Sequence, residues 1–144
     1  MVIDHICIAV NNLTESIEYW SNIFGYTQMT IPVLNTRQKV KVVFLKKDQS
    51  IMVKLIEPTD DNNSLKKFVE QGGGFHHICF KCDNLGTKIS ELNSLGVRML
   101  VPPQPGEAFA NNEIAFFWAK NRINFELIQT DEKAGIIDNI IDHK

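Results

Sequence analysis

Residues 5–17, HICIAVNNLTESI, and residues 77–89, HICFKCDNLGTKI, are two copies of one pattern. They align without a gap at an offset of 72 residues, and six of the thirteen positions are identical: His5/His77, Ile6/Ile78, Cys7/Cys79, Asn12/Asn84, Leu13/Leu85 and Ile17/Ile89. The same register carries IMVKLIE at 51–57 onto INFELIQ at 123–129, which sets Lys54 on Glu126. A fixed internal period marks a duplicated structural unit. This one also brings two His and one Glu into corresponding places.

Working outward, residues 2–10 alternate and are rich in Val and Ile, the pattern of a strand. Asn12 suits the N-cap of a following helix whose apolar stripe is Leu13, Ile17, Trp20 and Phe24, and Gly25 supplies the left-handed stop. A short strand near 27–31 and two β runs, 38–46 and 51–57, joined by Lys-Asp-Gln-Ser, complete the first unit. The second repeats it: strand 76–82, helix 85–95 ending at Gly96, a short strand near 97–100, then strands 112–119 and 123–129. TDDNN and GGG bracket a linker helix at about 64–71, Pro102, Pro103 and Pro105 read as a rigid loop, and the Ile spacing of GIIDNIIDHK predicts a short amphipathic helix in the tail 131–144. The class is α+β, with paired βαβββ modules over about 1–60 and 74–130 in one domain covering 1–144. A pseudo-twofold axis would make equivalent residues face one another across a shared cleft.

Composition excludes some functions. Hydrophobic residues make up 44% and charged residues 22%, with a net charge of −2 and no basic stripe, so nucleic acid is not an expected partner. The opening MVIDHICIAV lacks the cationic start and long apolar run of a secretory signal or membrane span. Three Cys, an odd number, read as reduced thiols, and the expected location is the cytoplasm.

Strand side chains alternate between faces, so His5 shares a face with Cys7, His77 with Cys79, Lys54 with Met52 and Ile56, and Glu126 with Asn124 and Ile128. Convergence of the four repeat-related positions on the axis would gather His5, Lys54, His77 and Glu126. Two imidazoles and a carboxylate, His5, His77 and Glu126, suit a divalent metal such as Zn, Ni, Co, Mn or Fe. Taken singly, each has a structural explanation, but two His in register are harder to explain that way. By alternation His76 points to the opposite face and reads as structural, and Cys7 and Cys79 read as small buried residues. The same alternation turns Val40, Val42, Phe44, Met52, Ile114, Phe116 and Trp118 inward, as core or as the wall of an apolar pocket.

DHICIAVNNLTESIEYWSNIFGY, VKLIEP, GGGFHHICFKCDNL and INFELIQ together resemble the vicinal oxygen chelate superfamily, and within it most nearly the methylmalonyl-CoA epimerase branch and more distantly glyoxalase I. The resemblance covers roughly residues 2–130. It implies an open, cleft-bearing β-barrel around a divalent metal, and His5, His77 and Glu126 match three of the family's four ligands. The fourth, usually Gln or Glu, falls on Lys54, and a protonated ammonium cannot ligate a metal. The carboxylate base that the epimerases carry on the preceding strand falls on Val42.

The resemblance implies an enzyme, a metal-dependent isomerase or lyase that acts beside a carbonyl through an enediolate, with Glu126 or a Lys54 of lowered pKa as the acid–base group. A second reading takes His-His-Glu as a complete set for an oxygenase or transferase, with Lys54 contacting an anionic substrate. A third pairs Lys54 with Glu126 in place of the metal, leaving a small-molecule binding protein of the antibiotic-sequestering kind. The implied partners are a small-molecule substrate, such as an acyl thioester, and a second copy of the chain in a homodimer.

Overall fold

The 72-residue register survives in three dimensions. The computed structural model describes residues 1–138. The first module contains β1 Val2–Ala9, α1 Leu13–Phe24, β2 Thr27–Gln28, β3 Val33–Asn35, β4 Val40–Lys46 and β5 Met52–Pro58. After α2, Asn63–Glu70, the second contains β6 Gly74–Lys81, α3 Leu85–Ser94, β7 Arg98–Gly106, β8 Asn112–Trp118 and β9 Asn124–Ile128. β4 and β5 thus start 72 residues before β8 and β9.

The strands form one sheet in the order β2-β4-β5-β1-β6-β9-β8-β7, with β3 paired to β4. The two leading strands, β1 and β6, pair antiparallel at its centre, where Cys7 is opposite His77 and His5 opposite Cys79. Each also pairs in parallel with the last strand of its own module, β1 with β5 and β6 with β9. The sheet is open and curls, so that the Thr36 hydroxyl at the end of β3 reaches the Glu107 carboxylate after β7, at 2.7 Å.

Capping is duplicated too. Asn12 accepts from the Glu15 N–H and Asn84 from the Thr87 N–H, both at 2.9 Å. The Leu13 N–H donates to Glu57 at 2.8 Å and the Leu85 N–H to Gln129 at 2.6 Å. These bonds satisfy amide groups that the first helical turn leaves without partners. They also lock each helix onto the outer face of its own module. There Leu13 packs with Val43, Leu45, Val53 and Leu55, and Leu85 packs with Ala115, Phe117, Phe125 and Leu127. Burying each such side chain is worth about 1.5–3 kcal/mol.

The concave face has its own core, in which Val40, Val42, Phe44 and Ile56 of the first module meet Ile114, Phe116 and Ile128 of the second. Leu65 and Val69 from α2 close one part of it, and Ala108 and Phe109 close another. Five of the seven residues expected to face inward lie in that core. Met52 is half-buried outside the core clusters, and Trp118, the last residue of β8, is 44% exposed.

The proline segment is strand rather than loop. Pro102, Pro103 and Pro105 lie within β7, at the edge of the sheet, where a missing N–H leaves no ladder bond broken, and the register with β8 slips between Val101 and Gln104 to pass them. The tail departs from expectation as well. Ile136 bridges Thr30, the Ile31 N–H donates to the Gly135 carbonyl and the Ile137 N–H to the Met29 carbonyl, both at 2.9 Å, so residues 135–137 pair with the backbone of 29–31 instead of coiling. The remainder of the expected helix, 139–144, lies outside the described residues. All three thiols are free and buried. Although Cys79 and Cys82 are only three residues apart, they belong to different cores on opposite faces of the sheet, and burial pushes both thiols up. Among the described residues no helix is long and apolar enough to cross a membrane.

Candidate active site

Four side chains predicted from the repeat meet on the concave face. Glu126 Oε1 lies 3.1 Å from His77 Nε2, 3.2 Å from His5 Nε2 and 3.5 Å from Lys54 Nζ. All four residues are buried to within about 1%. The neighbouring strands place them: Cys7 is opposite Lys54 on β5, and Cys79 is opposite Glu126 on β9, so both charged groups lie beside the central strand pair. Phe44 meets the edge of the His5 ring at 5.2 Å, and its repeat equivalent Phe116 meets His77 at 5.0 Å.

Each imidazole is held from behind by the residue before it. Asp4 Oδ2 is 2.7 Å from His5 Nδ1, and His76 Nδ1 is 2.8 Å from His77 Nδ1. Asp4 and His76 are themselves repeat equivalents, and at both the β1–β6 ladder slips by one residue. A bulge interrupts alternation and re-aims a side chain. His76 therefore does not point away as strict alternation predicts; it lines the main cavity. Such outer partners fix the tautomer and orientation of an imidazole.

Lys133 is the residue that sequence reasoning missed. Delivered by the tail, its buried Nζ lies 3.3 Å from Asp4 Oδ2 and 5.3 Å from the centroids of both Phe44 and Phe109. No repeat partner or local motif announces it. The site thus contains two buried ion pairs, Lys133–Asp4 and Lys54–Glu126.

The charges follow from these contacts. Burial alone would raise the Glu126 pKa, but the Lys54 ammonium and the imidazoles outweigh it and hold the carboxyl well below the usual range. Burial would likewise lower Lys54, yet Glu126 holds it above its ordinary value. A Lys54 of lowered pKa is thus not what the structure contains. Both groups stay ionised and are weak proton acceptors. Burial depresses His77 to about 3, and burial and then Lys54 depress His76. Burial also drives the Cys7 thiol up to about 12, which leaves it inert.

A metal can be tested against this donor set. His5, His77 and Glu126 bring one donor atom each within 4.8 Å of one another. With Asp4 accepting from Nδ1–H, His5 directs a bare Nε2 at Glu126, out of line for a hydrogen bond, and that buried nitrogen has no partner. A cation between nitrogen and carboxylate would satisfy it, so three donors fit a divalent ion. Lys54 does not fit as a fourth.

The cavity beside the cluster has a volume of about 500 Å³. Val40, Ile56, Leu65 and Phe116 supply apolar wall, Lys54, His76 and His77 lie at its floor, and Arg37 is at its mouth. Glu126 is beneath that floor.

Comparison with known proteins agrees with this architecture. The model of the Glyoxalase/Bleomycin resistance protein/Dioxygenase superfamily matches residues 4–116. A mitochondrial methylmalonyl-CoA epimerase of Dictyostelium discoideum is 28% identical over 133 residues, covering 91% of this chain and 78% of that one. The crystal structure of methylmalonyl-CoA epimerase from Mycobacterium tuberculosis superposes with a TM-score of 0.78 at 26% identity, over 89% of this chain and 87% of that one. A Streptomyces coelicolor methylmalonyl-CoA epimerase in complex with 2-nitronate-propionyl-CoA gives 0.78 and 26%, over 91% and 98%. These relatives are isomerases. The duplicated modules, the paired central strands and the family match lead to one assignment: this chain belongs to the glyoxalase/bleomycin resistance protein/dioxygenase superfamily.

Proposed function

We propose that the chain is an epimerase-type isomerase that moves a proton on the carbon next to the carbonyl of an acyl thioester. The observation that carries this reading is the convergence of Lys54 and His77 at the floor of the cavity, with Glu126 in contact with both from beneath. Its support from the relatives is that they act on, or hold, acyl-CoA compounds.

Removing a proton beside a carbonyl leaves negative charge on the oxygen of an enediolate-type intermediate. Lys54, kept protonated by Glu126, offers a fixed positive charge to that oxygen in a site that excludes water, where it acts without reorganisation. Glu126 serves as the anchor that keeps Lys54 charged and aligned. His5, His77 and Glu126 would hold a divalent metal, one of Zn, Ni, Co, Mn or Fe, and a metal bound there would supply Lewis-acid polarisation of the carbonyl. The Lys54 charge beside it makes that binding weak. Arg37 at the cavity mouth suits an anionic portion of the substrate. The buried free thiols suit a reducing cytoplasm, and a homodimer is the proposed assembly.

Incubation with methylmalonyl-CoA in D₂O, followed by NMR of the C2 proton, tests the reading. Exchange above the uncatalysed rate is the expected result. Retained binding with no exchange, toward this and other branched acyl-CoA thioesters, would favour the second reading, ligand binding without chemistry. The direct Lys54–Glu126 contact is the observation behind that alternative.

A further inference from the structure

Repeat symmetry gives the concave face two equivalent halves, and one of them is the cavity. Ile56, His76, Val101 and Phe116 line it. At the 72-residue offset their counterparts are Ile128, Asp4, Met29 and Phe44, and the three apolar ones belong to or pack against the same concave core. Into this second half the tail inserts Lys133. We propose that the second half is a binding site for a primary alkylammonium ion, and that Lys133 occupies it as a ligand carried by the chain itself.

Two kinds of contact make the site. Lys133 Nζ has the carboxylate oxygens of Asp4 at 3.3 and 3.4 Å and the Asp131 carbonyl oxygen at 3.4 Å, one acceptor for each N–H of a primary ammonium. The rings of Phe44 and Phe109 lie with their centroids at 5.3 Å, within the reach of cation–π attraction. The side chain is only 1% exposed, and a charge so far from water is held only where it is paired.

Backbone contacts fix the segment that delivers it. The Ala134 N–H donates to the Ala108 carbonyl, the Ile31 N–H to the Gly135 carbonyl and the Ile137 N–H to the Met29 carbonyl, each at 2.9 Å. A Cβ on Gly135 would lie 2.9 Å from Ile31 Cγ1 and 3.0 Å from Val33 Cγ2, so the tail is seated closely against the first module.

The two halves differ in the charge they suit. The same offset pairs Asp4 with His76 and Phe109 with Arg37. An acid and an aromatic ring thus stand in the second half, where they take a cation. Arg37 stands at the mouth of the open half and Lys54 at its floor, where they suit an anion. Filling the second half with a tethered cation leaves the open half to an outside ligand, whatever reaction that ligand undergoes.

The full chain carrying Lys133→Ala tests the site. This substitution removes three methylenes and the ammonium, so n-propylammonium is the probe. Titration with its chloride up to about 0.1 M, at constant ionic strength, should raise the thermal midpoint of the variant saturably by about 5 °C. Wild type and Lys133→Met, in which the space is filled, should not respond, and neither should Lys133→Ala to 1-propanol. If Lys133→Ala is unfolded by itself, recovery of its near-ultraviolet circular dichroism on adding n-propylammonium is the same positive result. A variant neither stabilised nor refolded by the probe would overturn the proposal. An equal response from wild type would overturn it too, since the probe would then bind elsewhere. So would an equal response to 1-propanol, which would show that the second half reads apolar bulk and not charge.

Discussion

Lys54 and Glu126 occupy the same position in the two modules, 72 residues apart, and their side chains meet with Nζ 3.5 Å from Oε1 at the centre of the molecule. A duplicated strand has thus placed opposite charges where symmetry makes equivalent residues touch. The consequence is a buried cation built into the chain beside the donor atoms of His5, His77 and Glu126.

Breaking this pair from one side should be severe. Glu126→Ala leaves Lys54 buried without a counter-charge, which costs about 3–5 kcal/mol. Lys54→Met with Glu126→Leu removes both charges and should recover most of that loss. Urea unfolding of the single and double variants checks it. A double variant no more stable than Glu126→Ala would show that the pair is not the source of the loss.

Acid should unfold the metal-free protein from near neutrality downward. His77 is depressed to about 3 in the folded state, so below its ordinary value of 6.5 the unfolded chain takes up a proton that the folded chain does not. Stability from neutral His77 is therefore complete above about pH 6.5 and declines as pH falls toward 3. Asp4 and Glu126, both lowered on folding, add to the decline below the carboxylate range of 3.8–4.5. Denaturant midpoints across pH 3–8 should show decline beginning near pH 6.5. Constant stability down to pH 4.5 would place the proton balance of His77 elsewhere.

Legibility in the sequence followed the repeat. His5, His77, Lys54 and Glu126 could be brought together from one offset, because equivalent strands flank a common axis and carry equivalent faces. What failed were local departures from ideal strands. His76 was misdirected because alternation assumes an unbroken ladder, although the same offset pairs it with Asp4 and so hinted at a shared role. Pro102, Pro103 and Pro105 suggested a loop because proline cannot donate to a ladder, a restriction that an edge strand does not feel. Lys133 had no signal at all, since the tail that brings it has no counterpart in the other module.

The helix caps offer a test of the duplication in energetic terms. Asn12→Ala and Asn84→Ala should each cost about 1 kcal/mol, because each asparagine caps through the same bond to the amide three residues on. Thermal unfolding compares them. A loss confined to one site would show that the two modules share geometry without sharing energetics.

Gly73 is the tightest point between α2 and β6. Its φ is +63°, and a Cβ there would lie 2.4 Å from the Ala9 carbonyl oxygen. Gly73→Ala combines left-handed backbone strain with a clash against backbone, so it should destabilise by at least about 1–3 kcal/mol. By contrast, a Cβ at Gly72 meets nothing within 4 Å, and Gly72→Ala pays only for its φ of +117°. Equal effects at the two sites would mean that the strand pair yields easily.

The place of Lys54 in the cation site is tested most directly by calorimetric titration with Zn²⁺ of the wild type, Lys54→Gln and Lys54→Glu. Each substitution removes a positive charge beside His5, His77 and Glu126 and adds an oxygen donor. The wild type should bind weakly, and both variants at least about tenfold tighter, about 1.4 kcal/mol. Equal or weaker binding by both would contradict it, because Lys54 would then not hold the fourth position.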